Sequence, residues 1–180
     1  MKIACIAWGS LIWEPRELKL ASEWRPDGPL LPLEFVRDSD DSDELAVVMH
    51  EAAPPMPTYW ALLDTSDLAT AREMLREREK IRPEYPQWVG SIPNPCGPED
   101  PRMAAWLRAH ELDAVVWTAL PSKFAKVSER APSAHEALAF FESLEGEQRR
   151  KAEEYVRKVP PEISTLYRKL FEEKLGLTPE

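Results

Sequence analysis

Cysteine is scarce in this 180-residue chain. Only Cys5 and Cys96 occur, too few for a disulfide framework. Basic residues are also in short supply, 23 Lys and Arg against 32 Asp and Glu, for a net charge of −9. That balance opposes a surface that tracks phosphates, so no nucleic-acid partner is expected. No apolar run approaches the roughly 18 residues of a membrane span, and no membrane partner is expected either. The N-terminal apolar run is brief and lacks both a long hydrophobic core and a small-residue cleavage site, unlike a secretory signal. A cytoplasmic location is the expectation. With 43% hydrophobic residues, a chain of this length can bury a core without staples.

Several nucleotide and metal signatures are missing. There is no G-x-x-x-x-G-K-[ST] loop, no G-x-G-x-x-G and no H-E-x-x-H, so phosphate binding by those loops is not expected. His50, His110 and His135 lie far apart in sequence, and no metal or other cofactor is expected. The acidic run from Asp38 fails the calcium-loop template: its sixth position is Asp43 rather than Gly, its twelfth Met49 rather than Glu. It reads as a solvated hairpin turn.

Apolar runs at 3–8, 30–37, 45–50 and 58–63 predict four strands. Asp64-Thr65-Ser66 offers cap residues for a helix reaching about Lys80. Six prolines between Arg82 and Pro101 make that stretch extended or looping. Asp100-Pro101 starts a helix to about Ala109, and 114–119 is a late strand. Ser133 and Glu136 fit a capping box opening a helix through Phe141. Helices at about 147–158 and 161–175 follow. Strands dominate the first half and helices the second, which predicts an α+β fold.

Two features can carry chemistry. The first is Trp8-Gly9-Ser10-Leu11 at the end of the first strand, where a glycine turn can aim successive amides at an anion. The second is the helix from Leu68. At about 100° per residue, Leu68, Arg72, Leu75 and Glu79 share one side, with Glu79 about 20° from Leu68 and Glu77 about 180° away. A carboxylate on the buried side of a last helical turn is disfavoured as an anion by desolvation and by the helix dipole. Both effects move it towards proton transfer. The competing reading pairs Glu79 with Arg76 or a loop arginine.

In combination these features resemble the γ-glutamylcyclotransferase superfamily, closest to its ChaC-type branch. Ala7-Trp8-Gly9-Ser10-Leu11-Ile12-Trp13-Glu14-Pro15 matches the family's Y-G-S-L-type loop. Phe35, Ser39 and Asp41 match a second segment, and Leu75-Arg76-Glu77-Arg78-Glu79-Lys80 matches the helix end that holds the family's glutamate. The likeness covers residues 3 to 92. Trp8 replaces the family's tyrosine, and Ile81-Arg82-Pro83-Glu84-Tyr85 replaces its G-G-Y.

The resemblance implies one cyclotransferase-like domain over 1–180, a mixed β-barrel with peripheral helices and a helical extension from about residue 132. It implies release of 5-oxoproline from a γ-glutamyl-amine or γ-glutamyl-peptide, a small-molecule substrate, with no metal and no cofactor. Glu79 is then the acid/base. Trp8, Gly9, Ser10, Leu11, Ser39 and Tyr85 are the substrate-binding residues. A homodimer is the assembly left open. Two rival readings stand beside this one. One is a non-catalytic small-ligand-binding protein of the same fold. The other is a cysteine hydrolase using Cys96 with His110 or His135. The seven tryptophans, dispersed along the chain, read as core and wall rather than a stacking surface.

Overall fold

The run Ile-Ala-Cys-Ile-Ala has no polar side chain to turn towards water, which suits a strand buried on both faces. In the computed structural model, which describes residues 1–39 and 43–180, it forms β1 (Ile3–Ala7), buried throughout. The further strands are β2 (Leu31–Asp38), β3 (Leu45–Met49), β4 (Pro55–Met56), β5 (Tyr59–Leu62), β6 (Val89–Ile92), β7 (Ala114–Thr118), β8 (Lys123–Phe124) and β9 (Val127–Ser128). The helices are α1 (Leu68–Arg78), α2 (Pro101–Ala109), α3 (Ala134–Ser143), α4 (Gly146–Lys158) and α5 (Leu166–Leu175). Among the described residues the protein is therefore α+β, with two mixed sheets and five helices. No helix of the described residues is long and apolar enough to cross a membrane.

The backbone divides into two compact units. The first comprises Met1–Leu30 and Pro57–Leu120, the second Leu31–Met56 and Pro121–Glu180. In the first unit the strand order is β5-β1-β7-β6. β1 runs parallel to β7 and antiparallel to β5, while β6 is antiparallel to β7. The chain after residue 18 covers the free edge of β5: Ala21 N–H donates to Leu62, and Arg25 and Trp60 exchange backbone bonds of 2.8 and 2.9 Å. Covering an edge in this way removes a template for unwanted pairing. Leu11, Leu18, Leu63, Ala71, Leu75 and Ile81 close one apolar cluster over β1 and β7. All seven tryptophans belong to this unit, and none is exposed. Trp106 and His110 stack with centroids 4.4 Å apart, and Trp60 meets both edge-on at 5.3 and 5.6 Å.

Some boundaries differ from expectation. Asp67, not the Asp64-Thr65-Ser66 run, caps α1, its Oδ2 accepting from Thr70 N–H at 2.8 Å. Within the proline-rich stretch, Val89–Ile92 reaches the sheet as β6, between Pro86 and Pro93. Asp100-Pro101 and the Ser133–Glu136 capping box stand where the sequence put them.

In the second unit β2 is central, antiparallel to β3 and β4 and parallel to β8. Phe35 meets Tyr155 and Phe171 edge-on. The helices from Ala134 onward thus build this unit's core with β2. Two buried charges lock it. Glu34, 3% exposed, accepts from Thr165 Oγ1 at 2.5 Å and from the amides of Phe35 and Tyr167. Arg168, fully buried, donates to the carbonyls of Val159, Pro160 and Ile163. Those bonds hold 159–163 as a turn, so α5 starts at Leu166 with Thr165 as its cap rather than at Pro161.

Gly90 faces Trp117 across β6 and β7, and a Cβ there would lie 2.2 Å from the indole ring. Gly90→Ala is expected to cost about 1–3 kcal/mol by overpacking, read as a lower urea midpoint. Gly97→Ala, whose nearest neighbour is a side-chain atom 4.0 Å away, should stay within about 0.5 kcal/mol. Burial also pushes the Glu34 carboxyl up, against the bonds from Thr165 and the backbone. The folded state therefore holds this proton to higher pH than the unfolded chain does. Glu34 consequently subtracts stability as pH rises from the ordinary carboxylate range to its folded value. Urea melts from pH ~4 to ~7 should show Glu34→Gln gaining on wild type as pH rises.

Candidate active site

Helix α1 buries Ala71, Leu75 and Arg78, positions four and three apart that make one stripe. This stripe is rotated from the Leu68-centred face read in the sequence, and it contains a guanidinium where a hydrophobic residue is usual. Arg72, expected on the apolar side, is half-buried, donating to the carbonyls of Val89 and Pro86 and to Ser91 Oγ at 2.6–2.9 Å.

The helix ends at Arg78, with Glu79 as its C-cap. Lys80 has φ +53°, its amide donates to the Glu77 carbonyl, and the Ile81 amide donates to that of Arg76. That pair of bonds, with buried Ile81 beyond it, is a Schellman motif built on lysine instead of glycine. It fixes where the Glu79 side chain leaves the helix. The Glu79 side chain is 16% exposed and that of Glu77 is 56% exposed, so the inward carboxylate of the pair is the one the periodicity selected.

Beyond the arginines weighed in the sequence, Glu79 has Arg78 as a partner. Arg76 is taken by Glu73 and by the Ile81 carbonyl. Arg78 is hydrogen-bonded to Glu79, Nη1 to Oε1 at 3.2 Å, and Arg16 lies within electrostatic reach of it as well. An opposite charge this close favours a carboxylate's ionised form and opposes burial and the helix dipole. The same guanidinium donates to Ser10 Oγ at 3.2 Å and to the Glu14 carbonyl at 2.7 and 3.0 Å. Arg78 thereby joins the end of α1 to the loop that follows β1. Sequence reasoning missed it, although its spacing from Leu75 and Ala71 was available as a signal.

The loop itself is a hydrogen-bonded turn. Ile12 N–H donates to Gly9 and Glu14 N–H to Ser10. The amides of Gly9, Ser10 and Leu11 open this turn and have no acceptor within it. Trp8, Gly9 and Leu11 are buried, and Leu11 lies in the apolar cluster, so the loop presents backbone and the Ser10 hydroxyl rather than large side chains. Beneath it, burial and the Glu79 carboxylate push the Cys5 thiol well up, while Arg78 acts in the opposite direction. This puts both charges within electrostatic reach of β1.

Tyr85 stacks on Trp88 with centroids 4.1 Å apart and planes 9° from parallel. Ser39 belongs to the second unit, where its amide donates to the Glu44 carbonyl at 3.0 Å. Asp41 lies outside the described residues, as does the middle of the acidic turn. Cys96 is an exposed free thiol 3.6 Å from Arg72 Nη2. The ring nitrogens of His110 face the Trp106 carbonyl and Asp27, so neither is directed at that sulfur. Among the described residues no cluster of three His, Cys, Asp or Glu side chains is arranged to hold a metal.

The lysine at the cap gives a direct check on the geometry that fixes Glu79. Lys80→Gly should keep the fold, because glycine adopts positive φ without strain. Lys80→Val should cost about 1–2 kcal/mol relative to it, measured as the difference between their urea unfolding free energies.

Compared with family models, curated proteins and solved structures, the chain shows no match to any of them.

Proposed function

We propose that the protein is a cyclotransferase of the γ-glutamylcyclotransferase-like fold, releasing 5-oxoproline from a γ-glutamyl-amine or γ-glutamyl-peptide. The observation that carries this reading is the coupling of one half-buried carboxylate, Glu79, through Arg78 to Ser10 in the loop after β1. These are two of the three sequence segments that suggested the family, and they meet at one guanidinium.

The chemistry requires little of the protein. The α-ammonium of the substrate gives a proton to Glu79. The freed amine attacks the γ-carbonyl carbon and closes a five-membered ring, its nitrogen giving up a second proton to water. The bond from that carbon to the departing nitrogen then breaks as Glu79 returns the proton to it. Because the nucleophile is tethered, holding the substrate curled removes much of the entropic barrier. In this reading the amides of Gly9 to Leu11 receive the substrate carboxylate. An anion site made of neutral groups suits a protein of net charge −9.

One observation favours the binding-protein alternative. A carboxylate paired with Arg78 can grip an ammonium group without taking its proton. The two readings separate in one experiment, a panel of glutathione, γ-glutamyl dipeptides and γ-glutamyl-amines assayed for 5-oxoproline. Wild type and Glu77→Gln should release it, and Glu79→Gln should lose about 10²–10⁴-fold in kcat while keeping its thermal unfolding midpoint. Full activity in Glu79→Gln would overturn the assignment. Ligand-induced thermal stabilisation without product would establish the binding protein instead.

A further inference from the structure

Arg78 is 6% exposed, so its charge is weakly screened by water. Its contacts are unequal. The anchor is the Glu14 carbonyl, reached by Nη2 at 2.7 Å and Nε at 3.0 Å. The contacts to Glu79 Oε1 and Ser10 Oγ are both 3.2 Å, longer than the roughly 2.7–2.9 Å of a tight charge-assisted bond to a carboxylate. The guanidinium is thus fixed by a backbone group that does no chemistry. Its other ends reach loosely towards two groups placed where chemistry is proposed.

Neighbouring residues on a helix do not face each other, yet Arg78 and Glu79 touch. They do so because the chain stops being helical at the cap: Glu79 has φ −85° and ψ 0°, and Lys80 turns left-handed. The Schellman turn brings the Glu79 carboxylate round to Arg78.

We propose that Arg78 is a positioning residue, anchored on Glu14, that sets the orientation and charge state of the Glu79 carboxylate and links it to the Ser10 hydroxyl. This rests on the reading of Glu79 as the proton carrier. The guanidinium stays protonated throughout and exchanges no proton itself. It stabilises Glu79 in the form that accepts a proton from the substrate ammonium. When Glu79 is neutral, the bonds from Arg78 to Glu14 and Ser10 hold the loop in place until the proton passes to the leaving nitrogen. Lysine carries the same charge but lacks the fork that spans three acceptors.

Carbon NMR of the glutamate carboxyls tests this without a substrate, the Glu79 signal being identified by its loss in Glu79→Gln. In folded Arg78→Gln the Glu79 titration should move up by about one pH unit or more. Arg78→Lys should move it less. An unmoved titration in folded Arg78→Gln overturns the proposal. Nitrogen NMR of wild type decides the same point should the variants fail to fold: the Arg78 guanidinium signals must shift with the Glu79 midpoint, and indifference to it overturns the proposal. With a turned-over substrate, Arg78→Lys should lose about tenfold or more in kcat with KM changed less than threefold and the acid limb of the pH profile displaced upward. If no member of the panel is consumed, the cyclotransferase reading fails while the two NMR titrations still decide the role of Arg78.

Discussion

The parallel pairing of β1 with β7 is the constraint on which the first unit depends. Parallel neighbours cannot be joined by a tight turn, so more than a hundred residues of chain separate Ile3 from its partner Ala114. Everything between has to be accommodated around that pair. β5 takes the other side of β1, leaving the strand no free edge and no solvated face, which is why its sequence carries no polar residue. The strand's end then delivers the Trp8–Leu11 turn at a fixed place, and α1 packs over the same cluster through Ala71 and Leu75. Loop and helix end are brought together because both are fastened to one buried strand.

Around that strand the charges are arranged economically. A lone buried guanidinium or carboxylate would be costly, and a buried ion pair often fails to recover its desolvation cost. Arg78 escapes this because the Glu14 carbonyl absorbs two of its donors, leaving the ion pair itself loose. Glu79 in turn retains a small opening to solvent. A stability role would be served better by shorter bonds and full burial. The combination of a firm anchor with slack at the reactive end is what a group that changes charge during a cycle requires.

How much of this is legible in the sequence follows from which forces act locally. Five of the strands (β1, β2, β3, β5 and β7), the Asp100-Pro101 start and the Ser133 capping box are set by neighbours within a few residues, and they are legible. Helical periodicity separates inward Glu79 from outward Glu77, while the Schellman turn that sets the Glu79 side chain in place is not legible. Arg78 is not legible, because an arginine at a core position contradicts hydrophobic patterning, and only the fold reveals the carbonyl that accepts it. β6 is hidden by the prolines flanking it, since its pairing is decided by Trp117 far along the chain. The start of α5 is obscured for a similar reason. Pro161 looks like a first helical residue, but Arg168 captures the carbonyls around it and delays the helix to Thr165. For Ser39 and Tyr85 the sequence offers residue type alone, and their local partners, the Glu44 carbonyl and Trp88, are not legible in it.

Helix α5 has a consequence for how the second unit comes into being. It supplies Thr165 and the Tyr167 amide to Glu34 of β2, while Arg168 plays the part of internal water for the turn before it. Sheet and solvating groups lie far apart along the chain. A nascent chain that has emerged only as far as Ser164 already contains all of β2, yet its buried carboxylate has lost most of its donors. The sheet of this unit therefore cannot settle during synthesis at the pace of its own strands. It must wait for the last helix, so the unit is completed as a whole once α5 has been made.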